Sequence, residues 1–256
     1  MCLLVNFLSL CTLLFASKYI DCQYLEGIDV SKWQGNINWP QVAKSGIKFA
    51  FVKATEGVTY TDPKMRENFL RATSANLYVK SLIKKVGVYH FARPDRNAAA
   101  REANAFYTKT KHLVTKTTLL SALDIESNPK GKQCYNLNKK QMSSWIKTFI
   151  ETYKNLTGSN LIIYTNTNFW NTCVGKSLSN VCQKNGNRHT CPLWLARYNR
   201  QAGQIPKAAQ MWSTWTFWQY TDKGRVNGIR GSVDRNKFKG SEADLKTWLK
   251  SAIAKK

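Results

Sequence analysis

Residues 117–126 read TTLLSALDIE. The stretch is largely apolar without an apolar–polar alternation, which is how a strand covered on both faces reads, and it ends on two carboxylates. Seven more short runs of this kind flank it: EGIDVS (26–31), KFAFVKA (48–54), KVGVYHF (85–91), NLIIYTN (160–166), PLWLARY (192–198), TFWQYTD (216–222) and SVDRNKF (232–238). Helical patterns lie between the early runs. Asp62-Pro63 reads as a helix start before Met65, Phe69 and Ala72, and residues 98–111 are Ala-rich. Asn138 stands as a cap ahead of Met142, Trp145, Ile146, Phe149 and Tyr153 on one face, and a capping-box-like SEAD (241–244) opens a last helix. Strand–helix alternation predicts parallel strands joined by right-handed crossovers. The final three strands come too close together for full helices between them. The fold expected is α/β: an irregular (β/α) barrel of eight mostly parallel strands with the last helices reduced.

The chain has 256 residues, 43% of them apolar, with 39 Lys+Arg against 15 Asp+Glu and a net charge of +24. Such a composition buries a large core, and it excludes disordered and collagen-like classes. Beyond the N-terminus no apolar run is long enough to span a bilayer, so no stable membrane anchoring is expected. Residues 2–16, CLLVNFLSLCTLLFA, read as the apolar centre of a secretory signal peptide, although no Lys or Arg precedes them. A buried first helix is the competing reading. The expected division is a signal peptide over 1–22 and a single domain over 23–256, placing the protein outside the cell or in a lysosome- or phagosome-like compartment.

Cysteine usage agrees with export. Cleavage after Cys22 leaves Cys134, Cys173, Cys182 and Cys191, an even set that suits two disulfides with three connectivities open. Cleavage nearer Ala16 leaves Cys22 over. The spacing contains no C-x-x-C and gives no support to zinc. Asn155-Leu156-Thr157 is an acceptor for N-glycosylation.

With so few acids, their placement is informative. Asp29, Asp124, Glu126 and Asp234 interrupt or end apolar strands. In a parallel barrel the strand ends converge on one mouth, and buried carboxylates are costly unless paired or used. Asp124 and Glu126, two residues apart on a strand, point to the same side, with backbones about 6.6 Å apart. Each raises the other's proton affinity, so one stays protonated while the other ionises, as cleavage of a glycosidic bond requires, with an exposed strand-end acid pair or a metal site as the competing readings. Aromatic residues at strand ends, Tyr89, Tyr164, Trp194, Tyr198, Trp218 and Tyr220, offer flat faces to sugar rings, with a buried core as the competing reading. His90 also stands at a strand end, as a binding or a structural group. The three histidines form no metal-ligand spacing. No phosphate loop and no G-x-S-x-G occurs.

The segments GIDVSKWQGNINW (27–39), FAFVKATEG (49–57), GVYHFARP (87–94), LDIE (123–126), IIYTN (162–166), PLWLARY (192–198), FWQYT (217–221) and GSVDRNKFKG (231–240) resemble, in order, glycoside hydrolase family 25, the Ch-type lysozymes. The stretches around Cys134 and Trp170-x-x-Cys173 look most like eukaryotic, especially fungal-type, members. The resemblance implies an irregular β/α barrel, no metal and no cofactor. It implies Glu126 as general acid/base, Asp124 as the carboxylate that orients the substrate's N-acetyl group, and Asp29 and Asp234 as their supports. The implied activity is that of a secreted muramidase cutting β-1,4 bonds between N-acetylmuramic acid and N-acetylglucosamine, retaining configuration. In the barrel order, the loops after strands four and five are neighbours, and fungal-type relatives share both positions. A Cys134–Cys173 bridge is therefore expected, with Cys182 paired to Cys191.

The partner expected is the bacterial cell wall, whose anionic polymers attract a cationic enzyme. No basic helix or zinc finger supports nucleic acid as the partner, and a monomer is expected. Two other functions fit part of the pattern: a chitinase-like hydrolase, and a non-catalytic cationic wall-binding protein.

Overall fold

In the computed structural model, residues 24–78, 85–115, 118–178, 181–182, 184–185, 188–198 and 211–252 are described, and the expected signal peptide lies outside them. The chain runs β1 (Tyr24–Val30), a 3-10 turn (Lys32–Gln34), α1 (Trp39–Lys44), β2 (Phe49–Glu56), β3 (Tyr60–Thr61), α2 (Met65–Tyr78), β4 (Lys85–Phe91), α3 (Ala99–Thr110), β5 (Ala122–Asp124), α4 (Lys139–Thr157), β6 (Ile162–Asn166), α5 (Thr167–Cys173), β7 (Lys184–Asn185), β8 (Arg188–His189), β9 (Leu193–Ala196), β10 (Phe217–Gly224), β11 (Val233–Lys239) and α6 (Glu242–Ala252). The eight apolar runs became β1, β2, β4, β5, β6, β9, β10 and β11. Hydrogen-bonded in the order β1-β11-β10-β9-β6-β5-β4-β2, with β1 also paired to β2, they close a barrel.

All neighbouring pairs are parallel except those of β11, which runs antiparallel to both β10 and β1. The link from Gly224 to Val233 is too short for the crossover that a parallel pair needs, so the chain turns straight back. Asp234, expected at the end of a parallel strand, is thus the second residue of a reversed one. It reaches the same mouth, because a reversed strand starts where its neighbours end, and it pairs across from Asp29.

Side-chain alternation along the strands sorts the core into two shells. Phe49, Phe51, Ile162, Trp194, Phe217 and Phe238 fill the barrel interior, while Ile28, Val52, Val88, Ile163 and Leu195 face outward against the helices. Phe51 stacks on Trp194 with ring centroids 4.3 Å apart. Each buried aromatic of this kind contributes about 1.5–3 kcal/mol by leaving water. Two glycines make room for the rings: a Cβ on Gly27 would lie within the Phe49 ring, and one on Gly87 would meet Leu119 and Phe51.

Helices cover the barrel where the sequence is richest in helix signals. α4 starts on a capping box between Asn138 and Gln141 and buries Met142, Trp145, Ile146, Phe149 and Tyr153. After β9 there is no covering crossover helix among the described residues. α6 instead plugs the lower end, with Leu245 and Leu249 buried in the inner cluster and Trp248 against Phe217 and Phe238. The bridges Cys134–Cys173 and Cys182–Cys191 form as expected. The second closes the segment carrying the small β7–β8 hairpin.

Candidate active site

Alternation also decides what the barrel mouth contains. Above the aromatic interior, the next inward positions are Asp29 on β1, Tyr89 on β4, Asp124 on β5, Tyr164 on β6, Gln219 on β10, and Asn236 and Asp234 on β11. All four strand-end acids therefore converge. Glu126 follows Asp124 just beyond the strand, where the backbone stays in line because Ile125 N–H donates to the carbonyl of Tyr164.

Asp29 is the best-held of the four. It is buried, and its Oδ2 accepts from Asn236 Nδ2 at 2.7 Å and from Gln219 Nε2 at 2.9 Å. The carbonyl of Gln219 accepts from Tyr164 and Tyr198, at 2.8 and 2.6 Å. The carbonyl of Asn236 accepts from Trp194 Nε1 at 2.7 Å. These donors fix both amides, so each must offer its NH2 to Asp29. Burial pushes the Asp29 carboxyl up against this hydrogen bonding. Burial, and then the charge of Asp29, pushes Asp234 up to about 8. The two acids hydrogen-bond one another, and the two amide donors favour charge on Asp29, so Asp234 holds the shared proton near neutral pH.

Asp124 is buried, and its Oδ1 has no hydrogen-bond partner among the described residues. Desolvation and then the charge of Glu126 raise its proton affinity well above normal. Glu126 is raised to about 7 by burial and then by Asp29, while the ammonium of Lys53 opposes both shifts. Two adjacent carboxyls so placed titrate as a pair that carries one proton near neutrality. That supplies one acid and one anion in a single mouth. Among the described residues no group of three His, Cys, Asp or Glu is arranged to hold a metal ion.

The structure brings only some of the expected aromatic contacts to this mouth. Tyr89, Tyr164 and Tyr198 are there, the last 51% exposed. Trp194 lies beneath the acids, 1% exposed, as floor. His90, Trp218 and Tyr220 are corrections. Each neighbours an inward residue along its strand, and so points outward. His90 is enclosed between Thr55 and Glu102, 2.7 and 2.8 Å away, and stacks on Phe149. Trp218 donates to the carbonyl of Arg197, and Tyr220 donates to Glu26 on the outer face. Gln219 and Asn236, which hold Asp29, escaped the sequence reading. The signal was present in FWQYT, where Gln219 shares the parity of the core residue Phe217.

Residues 28–229 match the family described as Glycosyl hydrolases family 25. The chain is 41% identical over 226 residues to Lysozyme M1 of Streptomyces globisporus, covering 88% of this chain and 71% of that one. It is 34% identical over 221 residues to the N,O-diacetylmuramidase of Chalaropsis sp, covering 83% and 97%. Among solved structures, the bacterial lysozyme from Streptomyces coelicolor superposes with a TM-score of 0.75 at 39% identity, covering 89% of this chain and 96% of that one. The family 25 lysozyme from Aspergillus fumigatus gives 0.74 at 34% identity, covering 90% and 100%.

Proposed function

We propose, for a chain that belongs to glycosyl hydrolases family 25, that Glu126 and Asp124 cut the β-1,4 bond between N-acetylmuramic acid and N-acetylglucosamine in bacterial peptidoglycan. The observation that carries the mechanism is the buried, unpartnered Oδ1 of Asp124 beside a Glu126 raised to about 7. A buried acceptor without a donor is costly, and the N–H of a substrate acetamido group is a fitting donor. Accepting that bond favours the ionised form of Asp124 and leaves the pair's proton on Glu126, where the leaving oxygen needs it.

Glu126 then protonates the glycosidic oxygen as the bond to the anomeric carbon breaks. The acetamido oxygen, oriented through its N–H by Asp124, bonds to that carbon from the opposite face. Asp124 stabilises the positive charge that develops on the acetamido group. Water enters as the leaving sugar departs, Glu126 takes its proton, and the ring between acetamido oxygen and carbon opens with the original configuration restored. Asp29, fixed by Gln219 and Asn236, adds a negative charge near the forming oxocarbenium. Tyr198, on the rim, offers a ring face to a bound sugar.

The expected signal peptide and the two disulfides support export to an oxidising compartment. The net charge of +24 suits an anionic wall surface. Clearing of Gram-positive cell walls, followed by turbidity, tests the reading: wild type clears them and Glu126→Gln does not. Clearing by both, or hydrolysis of chitin in place of peptidoglycan, would overturn it.

A further inference from the structure

Beside the mouth, a cavity of about 330 Å3 opens between the turn after β1, the β2–β3 hairpin and the loop after β4. Its wall includes Lys32, Trp33, Lys53, Tyr60, Arg96 and Asn97. No step of the hydrolysis described above uses it. Lys53 joins the two spaces: it follows Phe49 and Phe51 on the inward parity of β2, its charge acts on both Asp124 and Glu126, and it lines this cavity.

The charges around the cavity do not balance. Four cations, Lys32, Lys53, Arg93 and Arg96, meet three carboxylates, Glu56, Asp95 and Asp62, the last accepting from the backbone N–H of Lys32 at 3.0 Å. Arg93 is consumed by Glu56 and Asp95, and Lys53 contacts Glu56 at 2.8 Å. Among the described residues Lys32 has no carboxylate within ion-pair distance of its ammonium. Its ammonium lies over the rings of Trp33 and Tyr60, at 4.9 and 5.5 Å. Lys53 lies over the same Tyr60 ring at 5.7 Å, so two ammonium groups converge on one phenol. Among the described residues Arg96 reaches only Asp95, at 3.6 Å, an acid already held by Arg93. Trp33 stands 81% exposed at the rim, an apolar face beside the unneutralised cations. Like charges gathered at a concave rim raise the local affinity for an anion.

We infer that this cavity receives a carboxylate carried on the peptide branch of the glycan strand whose backbone occupies the mouth. The inference rests on the muramidase reading, because Lys53 borders both spaces and so places the cavity beside a strand held in the mouth. Lys32 and Arg96 contribute the charge, Asn97 a hydrogen bond, and Trp33 covers the apolar part of the branch. The site is a specificity site, separate from bond cleavage.

Binding measured in Glu126→Gln protein keeps the test independent of turnover. The probes are one muropeptide fragment with its peptide carboxylates free, and the same fragment with them converted to carboxamides. The free-acid fragment should bind at least fivefold more tightly at low salt. Lys32→Glu combined with Arg96→Glu, both exposed positions, should bring that ratio below twofold and leave affinity for the amide form within twofold. Equal affinity for the two fragments, an undiminished ratio in the double variant, or an equal loss on both fragments would overturn the inference. Hydrolysis of the two fragments by the wild type is scored separately. Cleavage of neither refutes the muramidase reading itself, whereas cleavage of both without a binding preference refutes only the peptide site.

Discussion

Replacing Glu126 by Gln should make the protein inactive and, above neutral pH, more stable. Burial and the charge of Asp29 raise this carboxyl from 4.5 to about 7. Below pH 4.5 both folded and unfolded chains hold the proton, and the side chain makes no pH-dependent contribution. As pH rises from 4.5 toward 7, the unfolded chain ionises while the folded one stays protonated. The unfolded state then binds fewer protons, so wild-type stability falls through this window and levels off above it. At roughly 1.36 kcal/mol per pH unit, the span from 4.5 to about 7 amounts to about 3 kcal/mol. Gln carries no charge at any pH and copies the shape of the protonated acid. The variant should match wild type at pH 4 and exceed it by about 3 kcal/mol at pH 8, or ~6–12 °C in Tm for a domain of this size. Paired melts of the two proteins at pH 4 and pH 8 measure the difference. A stability gap that does not change with pH, or a variant less stable at pH 8, would refute the burial-raised acid.

Three further outcomes are expected. Lys53→Met removes the positive charge that restrains Glu126 and Asp124, so both proton affinities rise; the loss of kcat/KM with rising pH should move from near 7 to a higher value in a pH–rate profile. Gly27→Ala drives a methyl into the Phe49 ring, and urea denaturation should show a loss of about 1–3 kcal/mol or more. Cys134→Ser with Cys173→Ser opens a loop with a sequence separation of 39, and the same measurement should show a loss of about 4 kcal/mol from the unfolded-chain entropy restored.

Strand existence was legible because a doubly covered strand is apolar throughout, and each of the eight runs entered the barrel. Strand direction at the end of the chain was less so. Nothing local in SVDRNKF distinguishes a reversed strand, and only the short link from Gly224 to Val233 shows it. The acids were legible because a carboxylate inside an apolar run has few uses. The aromatics were not, since the candidates were chosen by position near a strand end, whereas parity decides which face they meet. Tyr89 and His90 are adjacent, yet one faces the mouth and the other the helices. The same parity hid Gln219 between the two aromatics Trp218 and Tyr220. Neutral amides draw no notice in composition, although Gln219 and Asn236 orient Asp29. The cationic cavity was hidden for a different reason: Lys32, Lys53 and Arg96 lie on three separate segments, and only the closure of β1 against β2 and of β2 against β4 gathers them.

Reducing-end analysis of fragments released from peptidoglycan tests the assigned chemistry most directly. After borohydride reduction and acid hydrolysis, wild-type digests should contain muramitol as the new sugar alcohol, and Glu126→Gln digests should contain none above the enzyme-free control. Glucosaminitol in place of muramitol, or undiminished muramitol from the Glu126→Gln protein, would contradict cleavage after N-acetylmuramic acid by this acid pair.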